Sequence, residues 1–133
     1  MRHFVLSLAL GLFLFLGFSA SAQQVLDLSF ENPTQTIDNK TYTLVDVNNW
    51  GDVTVKYTEL DDQGRLFQEG HYVNGKHNGV WNMYSNGTLI SQLRFSMGQK
   101  VWCKLYKLDG YQMVYYENNK PHLIQTEQRL ASN

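Results

Sequence analysis

The sequence predicts an all-β fold: an antiparallel β-hairpin meander built from repeats of about 23 residues and forming a single-layer or coiled sheet. Three observations predict it. The chain repeats itself, with Gly64 and Gly87, Leu66 and Leu89, Tyr72 and Phe95, and Gly75 and Gly98 each 23 residues apart. Asn74-Gly75, Asn86-Gly87 and Asp109-Gly110 are dipeptides favoured in two-residue hairpin turns, where the central residues need positive φ. Between turns the side chains alternate with period two: Leu89, Ser91, Leu93 and Phe95 fall on one face, Ile90, Gln92 and Arg94 on the other. Helical periodicity is strong nowhere.

Residues 1–22 read as a signal peptide. Met1-Arg2-His3 carries positive charge, Phe4 to Phe18 is an apolar run, and Ala20-Ser21-Ala22 is a small-x-small cleavage site, which places the mature start at Gln23. The run is shorter than the roughly 20 residues that cross a bilayer. Export to a periplasm or the cell surface, with no integral membrane anchor, is the expectation. The full chain carries a formal net charge of −1, without clustered basic residues, and this excludes nucleic acid as an expected partner. A lone cysteine, Cys103, allows no internal disulfide, so stability must come from packing, much of it aromatic.

Residues 23–52 depart from the repeat and are expected to form N-terminal capping strands, with Leu26, Leu28 and Phe30 alternating in one and Tyr42 and Leu44 in another. The repeat domain runs over 53–124. Its first unit, from Val53, has a lengthened turn at Asp61-Asp62-Gln63-Gly64. Its last, from Trp102, is a degraded copy. Gly64, Gly75, Gly79, Gly87, Gly98 and Gly110 are the expected structural turns, and 125–133 reads as a polar tail.

The segment from Gly70 to Leu89, with its Tyr72-Val-Asn-Gly-Lys76, Gly79-Val-Trp81, Tyr84 and Asn86-Gly87-Thr-Leu89, resembles the variant MORN repeat. Many bacterial chains with such repeats are labelled antitoxin components of the YwqK type. The resemblance covers Tyr57 to Val101 closely and Trp102 to Lys120 loosely. It implies an antiparallel β-meander with glycine turns and Trp and Tyr residues stacked along the ribbon. Val101 stands where the pattern has a second Gly79-like glycine, and Lys104 where a strict offset would repeat Trp81.

The residues suggest no catalytic centre, cofactor or metal. His71 and His77 straddle a turn without a third ligand, Asp61 and Asp62 suit a turn, and Cys103 with His122 lacks a surrounding nucleophile motif. The recurring aromatics carry the functional expectation: Tyr84, Trp102, Tyr106, Tyr115 and Tyr116 are binding candidates, with core packing as the alternative role for such a ladder. The sequence therefore predicts an exported non-enzymatic β-repeat protein acting as a protein–protein interaction module of the cell envelope, its protein partner unknown. The alternative is a cell-surface glycan-binding module using an exposed Trp/Tyr face. Mass spectrometry of the protein recovered from its native envelope should find a chain beginning at Gln23. Recovery of an intact Met1 there would overturn the signal assignment.

Overall fold

A computed structural model describes residues 26–128 and bears out the meander. Nine strands follow one another: β1 Thr34–Ile37, β2 Lys40–Val47, β3 Val53–Leu60, β4 Leu66–Val73, β5 Lys76–Ser85, β6 Thr88–Ser96, β7 Gln99–Lys107, β8 Gly110–Glu117 and β9 Lys120–Gln128. They form one open sheet in chain order, each neighbouring pair antiparallel. β9 takes in Gln125–Gln128, which the sequence reading placed in the polar tail; Gln128 pairs with Gly110.

The turns explain the repeat. Asn74 and Gly75 lie at φ 49° and 80°, and Asn86 and Gly87 at 50° and 78°, the left-handed pair whose twist matches that of the strands they join. Most turns are also hooked, by a side chain at or just past the turn, to a neighbouring turn along the same end of the sheet. Asn74 Oδ1 accepts the Val53 amide at 2.8 Å, Asn78 Oδ1 the Met97 amide at 3.0 Å, and Asn119 Oδ1 the Lys100 amide at 2.9 Å. At the opposite end Asn39 Nδ2 donates to the Leu60 carbonyl, and an Arg65 guanidinium nitrogen donates to Asn86 Oδ1. Turns about one repeat apart thus satisfy one another's polar groups, which holds each hairpin in register with the last.

Two expected turns are corrected. Asn78-Gly79 lies inside β5 rather than at a turn: Glu69 pairs with Asn82 and His71 with Asn78, so Gly79, Val80 and Trp81 bulge opposite Gly70 alone. A glycine at φ 73° allows the excursion. At the last dipeptide the loop residues are Leu108 and Asp109, and Gly110 is already the first residue of β8, paired with Lys107. Its side-chain position is closed by the neighbouring strand, since a Cβ there would fall 2.0 Å from the Glu127 carbonyl oxygen.

The core lies on one face of β2–β5. Tyr42, Leu44, Val53, Val55, Tyr57, Tyr72 and Trp81 are buried there, and Leu26 and Leu28 fold over them as a lid. The expected first capping strand through Phe30 does not form: only Leu28 makes an isolated bridge, and Phe30 is exposed. Trp81 is 3% exposed and lies on Gly70, where a Cβ would meet the indole at 2.2 Å. Its Nε1 donates to the His71 carbonyl at 3.1 Å, and its ring lies 4.8 Å from Tyr72 and 4.4 Å from His77 between centroids. We expect Trp81→Ala to cost about 3–5 kcal/mol and Gly70→Ala about 1–3 kcal/mol in urea unfolding. In the Trp81→Ala background the added methyl finds room, so the two changes should be strongly non-additive. Equal costs of Gly70→Ala in both backgrounds would show that the indole does not depend on that glycine.

Candidate functional site

Strand alternation divides the aromatic residues between two faces. The packed face carries Tyr57, Gly70 and Trp81 in register with Leu93, Cys103, Val114 and Ile124. The opposite face carries Asn82 and Tyr84 from β5, Gln92 from β6, Trp102, Lys104 and Tyr106 from β7, Tyr111, Met113 and Tyr115 from β8, and Gln125 and Glu127 from β9. Four of the five binding candidates, Tyr84, Trp102, Tyr106 and Tyr115, therefore share that face. Tyr116 does not: it follows Tyr115 directly on β8, so alternation puts it on the packed face, where the Lys100 ammonium lies 5.5 Å from its ring centroid.

The shared face is a row of polar aromatics. Asn82 Oδ1 accepts from Gln92 Nε2 at 2.8 Å, and Gln92 Oε1 accepts from the Tyr106 hydroxyl at 2.7 Å. Tyr106 stands opposite Tyr111, whose hydroxyl donates to Glu127. Lys104 reaches over both rings, its Nζ 4.9 Å from the Tyr106 centroid and 4.1 Å from that of Tyr111, an arrangement favoured by the ring quadrupole. Toward β4, the Tyr84 hydroxyl donates to Glu69 at 2.7 Å. The carboxylate that each phenol faces, Glu127 for Tyr111 and Glu69 for Tyr84, raises its pKa above the ordinary value. Both hydroxyls therefore remain donors at neutral pH. Tyr111, Met113, Tyr115, Gln125 and Glu127 border a shallow depression of about 380 Å³ between β8 and β9.

Tyr111, Lys104, Gln92 and Glu127 were not picked out in the sequence. Tyr111 could have been, since Tyr106 and Tyr111 flank the Leu108–Asp109 loop at equal distances and must pair if that loop is a hairpin. Lys104, by contrast, is legible only once β7 and β8 are in register.

The groups considered for chemistry are dispersed. His71 pairs with Asn78 on the polar face, whereas His77 sits on the packed face between Trp81 and Phe95, so the two histidines point apart. Cys103 is buried, which raises its thiol pKa, and β8 separates β7 from the exposed His122 on β9. Asp61 accepts the Gln63 and Arg65 amides and an Arg65 side-chain nitrogen, closing the long β3–β4 turn. Among the described residues no group of three or more His, Cys, Asp or Glu side chains is placed to hold a metal ion.

The fold and this face define an open antiparallel β-repeat sheet with one polar aromatic surface. No family model matches the chain, and neither a curated protein nor a solved structure is found similar to it. Among the described residues no helix is long and apolar enough to cross a membrane.

His77 gives the aromatic core a pH response. Burial lowers its pKa below 6.5, so in acid the unfolded chain takes up a proton that the folded chain resists. Stability should fall as pH drops from about 6.5 toward the folded-state pKa. His77→Phe, which keeps a ring between Trp81 and Phe95, should flatten the melting temperature between about pH 7.5 and 5.5. An unchanged slope in that variant would assign the acid sensitivity to other groups.

Proposed function

We propose that this chain is a variant MORN-repeat protein of the cell envelope that works without catalysis, as a protein-interaction module, and that the Tyr84–Glu127 face is its contact surface. The observation that supports this reading is the row of Trp102, Tyr106, Tyr111 and Tyr115 on the polar face, with Tyr106 exposed and the other three half-buried. Tyrosine and tryptophan bury large areas while fixing only two side-chain torsions, and their polar atoms tolerate water in the unbound state, which is why they are enriched at protein interfaces. Gln92, Glu127 and Lys104 hold Tyr106 and Tyr111 in place before any partner arrives, which lowers the ordering entropy of binding. The separation of Cys103 from His122, and the structural duty of Asp61, fit a binding role better than a catalytic one.

A glycan is the second reading. It is favoured by the depression beside Tyr111 and Tyr115, where aromatic rings meet the amide of Gln125 and the carboxylate of Glu127. Capture of envelope proteins on the immobilised chain tests the first reading. The Tyr106→Ala/Tyr111→Ala pair should weaken capture at least tenfold, about 1.4 kcal/mol, while stability changes by about 1 kcal/mol or less. Unchanged capture would remove this face from the interface. Retention on cell-wall polysaccharide that depends on Tyr111 and Tyr115 would favour the glycan instead.

A further inference from the structure

We propose that β9 is a self-pairing edge, through which two copies of this chain join into one sheet about a two-fold axis at Ile124. Among the described residues the sheet is open, with strands in chain order, so β1 and β9 each have one edge without a partner strand. They differ greatly. β1 has four residues and its sequence ends after Ile37, whereas β9 has nine and every one is exposed. A short edge strand offers little to a partner, whereas a long exposed one presents a row of free backbone donors and acceptors. Pro121 removes one amide near the turn, and the stretch from His122 to Gln128 contains no further proline.

The side chains of β9 say which partner suits it. Its acidic and basic residues are Lys120 and Glu127, one near each end, and the apolar Leu123 and Ile124 lie between them, 46% and 59% exposed. In an antiparallel pair centred on Ile124, each Ile124 meets that of the second copy on the packed face, and each Leu123 lies opposite Gln125 on the polar face. Residue His122 is the extra residue of the β9 bulge, because Tyr115 pairs with Leu123 and Tyr116 with Pro121. Counting past it brings Lys120 opposite the second copy's Glu127, on the same face. Both ends of the pair then carry opposite charges and the centre is apolar, an arrangement that favours matched cross-strand neighbours and sets no like charges against each other. Pairing of β9 with the β1 edge of another copy would instead allow open-ended growth, whereas the β9–β9 contact is isologous and closes at two copies.

This inference concerns the strand edge and shares Gln125 and Glu127 with the contact surface proposed above, where Glu127 also accepts from Tyr111, but its readout is the mass of the chain alone and requires no partner. Light scattering behind size exclusion should give twice the chain mass for the native protein over a wide concentration range. Lys120→Glu should return it to a single chain, Glu127→Lys should do the same, and the Lys120→Glu/Glu127→Lys double change should restore the dimer. Hydrogen exchange on the unaltered protein provides a readout free of any folding defect: backbone amides between His122 and Gln128 should gain protection as concentration rises. A native protein of single-chain mass at all concentrations would overturn the proposal. So would a dimer whose β9 amides exchange at the single-chain rate, or one that survives both charge reversals.

Discussion

The contact of the Trp81 indole with the bare backbone of Gly70 sets the shape of the sheet's folded half. A single-layer sheet has no second sheet to bury its side chains, so the bulk that fills the core must come from rings lying along its own surface. Gly70 makes one such site, because any side chain there would occupy the space of the indole. The bulge at Gly79–Trp81 carries the ring across onto it, and Tyr57, paired with Gly70, meets the indole at 5.6 Å between centroids. Tyr72, His77 and Phe95 then pack around a ring whose position is already determined. Without the glycine, β4 and β5 could still pair, but the aromatic cluster would lose its centre.

That arrangement also explains the uneven burial of the two halves. Leu26 and Leu28 cover the packed face over the first strands only, and the buried cluster ends at Trp81. Farther along the same row, Leu93 is half-buried, Cys103 and Val114 are buried, and Ile124 on the last strand stands mostly in water. In a quasi-linear array each hairpin depends on its neighbour, so β6–β9 borrow order from β2–β5 through pairing and through the turn hooks. The half with the weaker core is the half that carries the polar aromatic row. The contact surface proposed above would gain from this, since its residues are held by backbone pairing rather than consumed by packing.

Much of this could be read in the sequence, and what could not has a physical cause. Asn74-Gly75 and Asn86-Gly87 announce their turns because few other residues accept both positive φ values. Trp81 inward and Tyr84 outward follow from their odd separation on one strand. Gly79 misled because a bulge glycine and a turn glycine share the same φ, and only the pairing of Asn78 and Asn82 tells them apart. Gly110 misled for the opposite reason: its demand comes from the Glu127 carbonyl, a strand away in space and 17 residues on in sequence. Tyr116 was legible, since it follows Tyr115 directly on one strand and alternation alone sends the two rings to opposite faces. The two glycine errors, by contrast, each depend on a neighbouring strand.

The same reasoning explains why the last unit could drift from the repeat without losing the fold. At the height of Trp81 in the row, β7 carries Cys103, a small side chain that needs no glycine opposite it, and Val114 faces it on β8. Once no ring must be seated, a glycine is no longer required, and Val101 stands as the extra residue of the β6–β7 bulge, between Lys100 paired with Phe95 and Trp102 paired with Arg94. Aromatic mass is displaced to the other side of the ribbon, to Trp102, Tyr106, Tyr111 and Tyr115, where it meets solvent and amides instead of a core. Sequence drift in this unit thus moves its rings from the packed face to the polar one, and the side-chain hooks of Asn78 and Asn119 onto the Met97 and Lys100 amides keep β6–β9 in register while it does so.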